Sequence, residues 1–151
     1  VISVRFGNTF GPRQPVSGSD IGLIGDFMRK AIEGGTIEVY GKNRRRPIIY
    51  VADVAEVIFR LAFASFEGFS ILNIPGMNIP IGEIAKRIVQ IAGSGTIVEK
   101  DIPPEIQAID SGNAAMRSTA LQDFVGNLRF KDLNTALRET LSYFQSQVGN
   151  H

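Results

Sequence analysis

Three consecutive arginines, Arg44 to Arg46, are the residues of this sequence best suited to bind a charged ligand. They lie between two strand-like apolar segments, residues 37–40 and 48–51, so we expect a cationic turn in a hairpin-like stretch. A guanidinium group stays charged at working pH and carries a planar fork of donors that can bind phosphate or carboxylate oxygens. The pattern predicts an anion-binding turn, and a solvated surface turn or a nucleic-acid contact are the alternatives.

Charge and composition narrow the classes of partner. Sixteen basic and fifteen acidic side chains give a net charge of +1, so no overall field favours nucleic acid or an anionic membrane. There is no cysteine and the single histidine is the last residue, His151, which excludes a disulfide framework and a zinc-thiolate site and disfavours histidine catalysis. We predict no metal site. No apolar run is long enough for a membrane span and no signal peptide is evident, which predicts a soluble, cytoplasmic protein.

Strands and helices alternate around the arginines. Strands are predicted over residues 1–6, 37–40, 48–51, 69–74 and 96–99, and helices over 21–32, 54–64, 81–92, 118–125 and 132–148. Residues 7–20 and 75–80 are predicted as a loop and a turn, and residues 101–117 as mostly irregular. The helix over 54–64 is apolar enough to be buried on more than one side. The alternation predicts an α/β fold, one domain over residues 1–151.

The other candidate residues favour structural roles. Asp20, Asp53 and Asp132 are placed to cap helices. Gly18, Gly22 and Gly25 do not form a dinucleotide-binding loop, because Gly22 and Gly25 fall inside a helical pattern. No tyrosine has a lysine four residues later, so the tyrosine–lysine pair of short-chain dehydrogenases is absent. We therefore predict no catalytic residue and no cofactor-binding residue in this chain.

The chain also begins inside a predicted strand and without methionine. With few and short strands for a doubly wound sheet, this predicts that the sequence is a part of a longer α/β protein.

Several spaced segments, taken together, resemble the extended short-chain dehydrogenases of the NAD-dependent epimerase/dehydratase family. They read RFGNTFGPR at 5–13, VYG at 39–41, IYVADV at 49–54, a strand at 69–74 followed by Gly76 and Ile81, and PPEIQAIDSGN at 103–113. The segments occur in the family's order and span nearly the whole chain.

The resemblance implies that the chain is the C-terminal part of a Rossmann-type protein: the last strands of the cofactor domain plus a small mixed α/β substrate-binding lobe. The N-terminal dinucleotide-binding portion, with the glycine-rich loop and the catalytic Ser/Thr–Tyr–Lys set, would lie outside this chain. NAD or NADP is implied for the full-length parent, with none bound to this part alone. Homodimers are common in the family and would form through the full-length protein.

The resemblance also implies a set of substrate-binding residues for a nucleotide sugar. Asn8 matches the asparagine that contacts the sugar-phosphate region. Arg46 is the best match to the arginine that contacts the diphosphate, with Arg45 as the alternative because the preceding turn is one residue shorter. Tyr40, in the V-Y-G segment, completes the set.

Four departures from the family pattern leave other functions open. The family's R-D-F reads R-P-I at 46–48, and its Y-G-P reads F-G-P at 10–12. Ile106 takes the place of a further arginine, and Arg117 that of an acidic residue. The alternatives to a nucleotide-sugar epimerase or dehydratase are a related oxidoreductase lobe for a less charged substrate and a non-catalytic ligand-binding or interaction module.

Overall fold

The computed structural model describes residues 1–15, 18, 21–109, 113, 115–118 and 120–148, with the backbone alone at 106, 108, 109 and 148. Seven strands and six helices lie in this described part. In chain order they are β1 (Ile2–Phe6), β2 (Asn8–Phe10), α1 (Leu23–Ile32), β3 (Thr36–Tyr40), β4 (Arg45–Tyr50), α2 (Val51–Phe63), β5 (Ser70–Ile74), β6 (Met77–Pro80), α3 (Ile81–Ala92), β7 (Thr96–Lys100), α4 (Pro104–Ile109), α5 (Leu121–Val125) and α6 (Leu133–Val148).

The strands pair in three small sheets. β1 pairs in parallel with β5, and β3 pairs in parallel with β7. β4 lies between β2, to which it is parallel, and β6, to which it is antiparallel. Parallel pairing needs a crossover connection, and helices lie between the paired strands in every parallel case. The α/β class predicted from the alternation of elements is confirmed.

The hairpin-like arrangement predicted for residues 37–51 is wrong, because β3 and β4 belong to different sheets. β3 runs beside β7, with Tyr40 opposite Lys100, while Ile48 of β4 is opposite Met77 of β6. The turn between them is tight: the Arg44 backbone N–H donates to the Gly41 carbonyl at 2.9 Å, and Gly41 has a φ of 65°. The turn carries the chain from one sheet to another.

Two segments predicted as loop or turn form strands on either side of β4. Residues 8–10 are β2 and residues 77–80 are β6. The glycines that suggested loops mark close backbone contacts instead: a Cβ on Gly7 would lie 2.4 Å from the Pro47 carbonyl oxygen, and one on Gly76 would lie 2.5 Å from that of Ile48. The helix α4 likewise replaces part of the irregular segment predicted over 101–117.

Pro47 lies inside the central strand β4, where a missing N–H would normally weaken the ladder. The Ile81 N–H donates to the Arg44 carbonyl at 2.8 Å, so Arg44 and Ile81 form a hydrogen-bonded pair at the end of β4 and β6. Hydrogen-bonded and non-hydrogen-bonded pairs alternate along antiparallel strands, so every second residue after Arg44 is bonded to β6. Pro47 therefore occupies a position that makes no ladder bond to β6. Towards β2, the ladder begins one residue later, at the pair of Asn8 and Ile48.

The core consists of two clusters separated by β4. Ile48 belongs to the larger cluster, built from α1, α3, α6, β3 and β4, and Ile49 to the smaller one, which includes α2, β5 and α5. Neighbouring residues of a strand point to opposite sides, so one strand contributes to both clusters.

Helix α2 is buried on a single side, so the prediction that it is buried on more than one side is wrong for the described residues. Val54, Val57 and Leu61 face the smaller cluster. Phe59 and Phe63, in contrast, are 62% and 77% exposed.

The predicted helix caps have different outcomes. Asp132 is confirmed, because its Oδ2 accepts the Thr135 N–H at 3.1 Å in the first turn of α6. Asp53 is not a cap: α2 begins at Val51, and the Asp53 carboxylate accepts the Lys131 N–H at 3.1 and 3.2 Å instead. Asp20 lies outside the described residues.

Candidate functional site

A cavity of about 310 Å³ lies among β2, β3, β4 and α1. Three of the four residues predicted to bind substrate line it: Asn8, Tyr40 and Arg46. The remaining lining residues are Leu23, Asp26, Phe27, Lys30, Glu38, Arg44 and Ile81. Residues from separate segments of the chain therefore meet at one concave site, as expected for a binding pocket.

The alternation of β4 separates the three arginines. Arg44 and Arg46 both reach the cavity, whereas Arg45 between them does not line it. The Arg45 guanidinium donates to the carbonyl oxygen of Asn78 in β6, and its backbone N–H donates to Asn113 Oδ1 at 3.0 Å. Arg45 thus holds neighbouring chain segments together, and it brings Asn113 of the 103–113 segment next to β4.

Strand β3 supplies the polar wall of the cavity. Ile37 and Val39 are fully buried in the core, so the alternate residues Glu38 and Tyr40 face the other way. The Tyr40 hydroxyl donates to Glu38 Oε2 at 3.0 Å, and Lys100 pairs with Glu38 Oε1. The hydrogen bond from Lys100, followed by that from Tyr40, lowers the pKa of Glu38 below its ordinary value. Tyr40 is therefore held in place by a carboxylate that stays ionised.

Helix α1 supplies four lining residues that the sequence reasoning missed. They are Leu23, Asp26, Phe27 and Lys30. Asp26, Phe27 and Lys30 follow Leu23 by three, four and seven residues, so all four lie on one side of the helix. This helical spacing was the only indication in the sequence that they belong together. Asp26 forms ion pairs with Lys30 at 2.8 Å and with Arg29 at 3.0 Å.

The lining combines cationic and apolar surface. Three cations, Lys30, Arg44 and Arg46, share it with two carboxylates, and both carboxylates are already paired with a cation. Leu23, Phe27 and Ile81 provide the apolar part of the lining. Such a site suits a ligand with a strongly anionic group next to a less polar one.

The described residues do not fit a dinucleotide phosphate loop. Such a loop joins a strand directly to a helix through closely spaced glycines. Gly22 precedes α1 without a strand directly before it, and Gly25 packs inside the helix, where a Cβ would lie 2.7 Å from the Pro15 carbonyl oxygen. This agrees with the packing role predicted for Gly25.

Other site types are also missing from the part of the chain that the structure describes. No group of three or more acidic or histidine side chains is arranged to hold a metal ion there. Nor is any described helix both long and apolar enough to cross a bilayer.

The structure describes one of the two departures at Ile106 and Arg117 from the family pattern. The side chain of Ile106 lies outside the described residues. Arg117 is exposed and its carbonyl accepts a hydrogen bond from Asn73 Nδ2 at 3.0 Å, away from the described lining of the cavity.

Known proteins share both sequence pattern and fold with this chain. The profile of the NAD dependent epimerase/dehydratase family matches residues 1–74. No curated protein sequence matches the chain.

Solved structures match almost the whole chain. UDP-glucose 4-epimerase from Thermotoga maritima, solved with UDP-glucose, is 23% identical with a TM-score of 0.83, over 97% of this chain and 46% of that one. UDP-N-acetylglucosamine 4-epimerase from Methanobrevibacter ruminantium, solved with UDP-N-acetylmuramic acid, is 24% identical with a TM-score of 0.82, over the same shares. UDP-glucose 4-epimerase from Thermus thermophilus, solved with NAD, is 25% identical with a TM-score of 0.73, over 95% of this chain and 46% of that one.

The chain therefore spans less than half the length of these structures. Its motifs, its mixed α/β fold with parallel strand pairs, and the profile match over residues 1–74 agree with one another. Residues 1–74, just under half of this chain, therefore match the NAD dependent epimerase/dehydratase family, and almost the whole chain shares the fold of the solved epimerases.

Proposed function

We propose that this chain is the substrate-binding portion of an NAD(P)-dependent nucleotide-sugar epimerase or dehydratase. Its cavity would hold the diphosphate of the substrate. The observation that carries the proposal is that Asn8, Tyr40 and Arg46, from three separate strands, line one cavity. These are residues that the family resemblance assigns to the nucleotide-sugar site.

The chemistry of the lining supports a diphosphate ligand. Arg46 in β4 and Arg44 in the preceding turn both line the cavity, and a guanidinium can bind two phosphate oxygens at once. Asn8 adds an amide that can donate to a phosphate or sugar oxygen. Leu23 and Phe27 offer an apolar wall for the less polar part of a nucleotide.

In this proposal the lobe binds and orients the substrate, while hydride transfer needs the portion of the family fold that this chain does not span. NAD supplies the hydride chemistry when it is bound, and the protein supplies position. Fixing the substrate by its phosphates would place the sugar for reaction and lower the entropy lost in the chemical step.

Isothermal titration calorimetry with UDP-glucose, UDP and glucose tests this proposal. We expect UDP and UDP-glucose to bind with similar affinity, because the diphosphate makes the main contacts, and glucose to give no measurable heat. Absence of binding by both UDP and UDP-glucose would contradict the proposal.

A related oxidoreductase lobe for a less charged substrate is the second candidate. The presence of Asp26 and Glu38 in the lining favours it, because carboxylates accept hydrogen bonds from sugar hydroxyls and repel phosphate. Binding of glucose together with no binding of UDP would support this candidate over the first.

A further inference from the structure

Two carboxylates line the cavity between α1 and β4, and a carboxylate without a cationic partner there would repel an anionic ligand. Asp26 is paired at 2.8 Å with Lys30, which is itself part of the lining. Glu38 is paired with Lys100 of β7, which lies outside the lining. One of the two negative charges in the cavity is therefore compensated by a residue from beyond its wall.

The parallel pairing of β3 and β7 brings Lys100 to Glu38. Tyr40 lies opposite Lys100, and Glu38 lies opposite Val98. Since alternate residues of a strand share a face, Glu38, Tyr40 and Lys100 lie on the same face of this sheet. Lys100 Nζ donates to Glu38 Oε1, while Glu38 Oε2 accepts the Tyr40 hydroxyl at 3.0 Å. Both oxygens of the carboxylate thus have a donor.

Lys100 also contacts Tyr40 and the turn that precedes β4. Its Nζ lies 5.9 Å from the centroid of the Tyr40 ring, within the range of a cation–π contact. Its carbonyl accepts the Gly41 N–H at 3.0 Å, which fixes the end of β7 beside the turn. The hydrogen bond between the two side chains raises the pKa of Lys100 and lowers the pKa of Glu38, so both groups are charged at neutral pH.

We propose that Lys100 is a positioning residue that makes the cavity selective for anionic ligands, because it neutralises Glu38 and holds Tyr40 in the cavity wall. With Lys100 in place, Glu38 does not offset the lining cations Lys30, Arg44 and Arg46. Without Lys100, the full charge of Glu38 would act on any phosphate bound beside them. This inference rests on the proposed function, because it concerns phosphate binding in the same cavity.

The geometry favours this indirect role over a direct contact between Lys100 and a phosphate. Lys100 lies outside the lining of this cavity, and its Nζ is already bound to Glu38. It lines instead a neighbouring cavity of about 560 Å³, between the Gly41–Arg44 turn and the end of β7. Lys100 therefore acts on a ligand through the charge and position of Glu38 and Tyr40.

Calorimetry with UDP on charge variants of the full-length gene product tests this inference. Lys100→Met removes the cation and keeps a long side chain, Lys100→Arg keeps the cation, and Glu38→Gln removes the carboxylate. A further variant combines Lys100→Met with Glu38→Gln. Lys42→Met is the matched control, because Lys42 also pairs with a β7 glutamate, Glu99, at 2.7 Å and lies outside the lining. Thermal midpoints show whether each variant is folded.

We expect Lys100→Met to weaken UDP binding by about three- to tenfold in about 0.1 M salt, because one uncompensated charge acts through a partly hydrated site. In about 0.5 M salt the loss should fall below about twofold, since salt screens charge but would not repair a misfolded site. The combined variant, Lys100→Arg and Lys42→Met should all bind UDP within about twofold of the wild type, because none of them leaves an uncompensated carboxylate in the cavity.

Unchanged UDP affinity in Lys100→Met, or an equal loss in Lys42→Met, would overturn the inference. A loss in the combined variant as large as that in Lys100→Met would also overturn it, because Lys100 would then act without Glu38. A wild type that binds no UDP would contradict the proposed function as well. A wild type that binds UDP, together with an unchanged Lys100→Met, would overturn this inference alone.

Discussion

The Tyr50 hydroxyl donates to Glu139 Oε2 at 2.8 Å, and this bond ties the end of β4 to α6 across 89 positions of sequence. Lys131 completes the arrangement: its Nζ pairs with both carboxylate oxygens of Glu139 at 2.7 and 2.8 Å and lies 5.0 Å from the centroid of the Tyr50 ring. Hydrogen bonds from Lys131 and then Tyr50 lower the pKa of Glu139. Because β4 also carries Arg46, this cluster anchors the strand on which the proposed site depends.

The first prediction concerns alkaline stability. Burial, followed by the hydrogen bond to Glu139, raises the pKa of Tyr50 from 10.0 to about 12. Between these values the unfolded chain loses the phenolic proton while the folded chain keeps it, so the stability contributed by Tyr50 is complete below pH 10 and falls as the pH rises. The full loss is about 2–3 kcal/mol.

Urea unfolding of the wild type and of Tyr50→Phe from pH 8 to pH 11 measures this effect. At pH 8 the variant should be less stable by about 1 kcal/mol, the usual value of one hydrogen bond. The difference should shrink and then reverse as the pH rises, because phenylalanine does not titrate. Two curves that stay parallel over the range would contradict the assigned role of Tyr50.

A second prediction concerns Asp53, whose carboxylate accepts the Lys131 N–H. Asp53→Asn keeps an acceptor and should change the free energy of unfolding by less than about 1 kcal/mol, whereas Asp53→Ala should lower it by about 1–3 kcal/mol. Burial raises the pKa of Asp53, so the charged form is disfavoured in the folded state. The Asp53→Asn variant should therefore lose less stability than the wild type as the pH rises from 3 to 6. Equal losses from both substitutions would argue against the hydrogen-bonding role.

Strand β4 could be predicted from the sequence, but the strands that pair with it could not. Residues 48–51 were predicted as a strand from their apolar character, and the structure confirms strand through Tyr50. The partners of that strand were not predictable, because β2 and β6 lie in segments whose glycine and proline residues locally favour loops and turns. Their pairing depends on non-local contact, in which Gly7 and Gly76 allow the backbones to approach.

In the candidate site, too, some residues could be predicted from the sequence and others could not. Asn8, Tyr40 and Arg46 were named from motif resemblance, and the structure brings these three to one cavity. The motif match favours Arg46 and leaves Arg45 as the alternative, because which of the two side chains faces the cavity depends on where β4 begins. The contribution of α1 was missed because the helical spacing shows which residues share a side but not that this side lines the cavity, which depends on the packing of α1 against α3 and β3.

A third prediction tests the close backbone contact at β4. A Cβ on Gly76 would meet the Ile48 carbonyl oxygen at 2.5 Å, and backbone atoms cannot move aside as a flexible side chain can. Gly76→Ala should lower the free energy of unfolding by about 1–3 kcal/mol or more. At Gly22, where no atom lies within 4 Å of an added Cβ, alanine should cost less than about 1 kcal/mol. Denaturant midpoints of the two variants provide the comparison, and similar midpoints would show that β4 and β6 are not packed this tightly.

The most direct test of the proposed diphosphate site compares two neighbouring arginines. Arg46 lines the cavity, whereas Arg45 lies outside the lining and donates to Asn78. The measurement is the dissociation constant for UDP-glucose, by calorimetry, for the wild type, Arg46→Ala and Arg45→Ala. A charge-assisted hydrogen bond contributes about 1.5–3 kcal/mol, so Arg46→Ala should weaken binding by roughly 10- to 100-fold. Arg45→Ala should leave it within about threefold of the wild type. Unchanged affinity in Arg46→Ala, or an equal loss in Arg45→Ala, would contradict the proposed site.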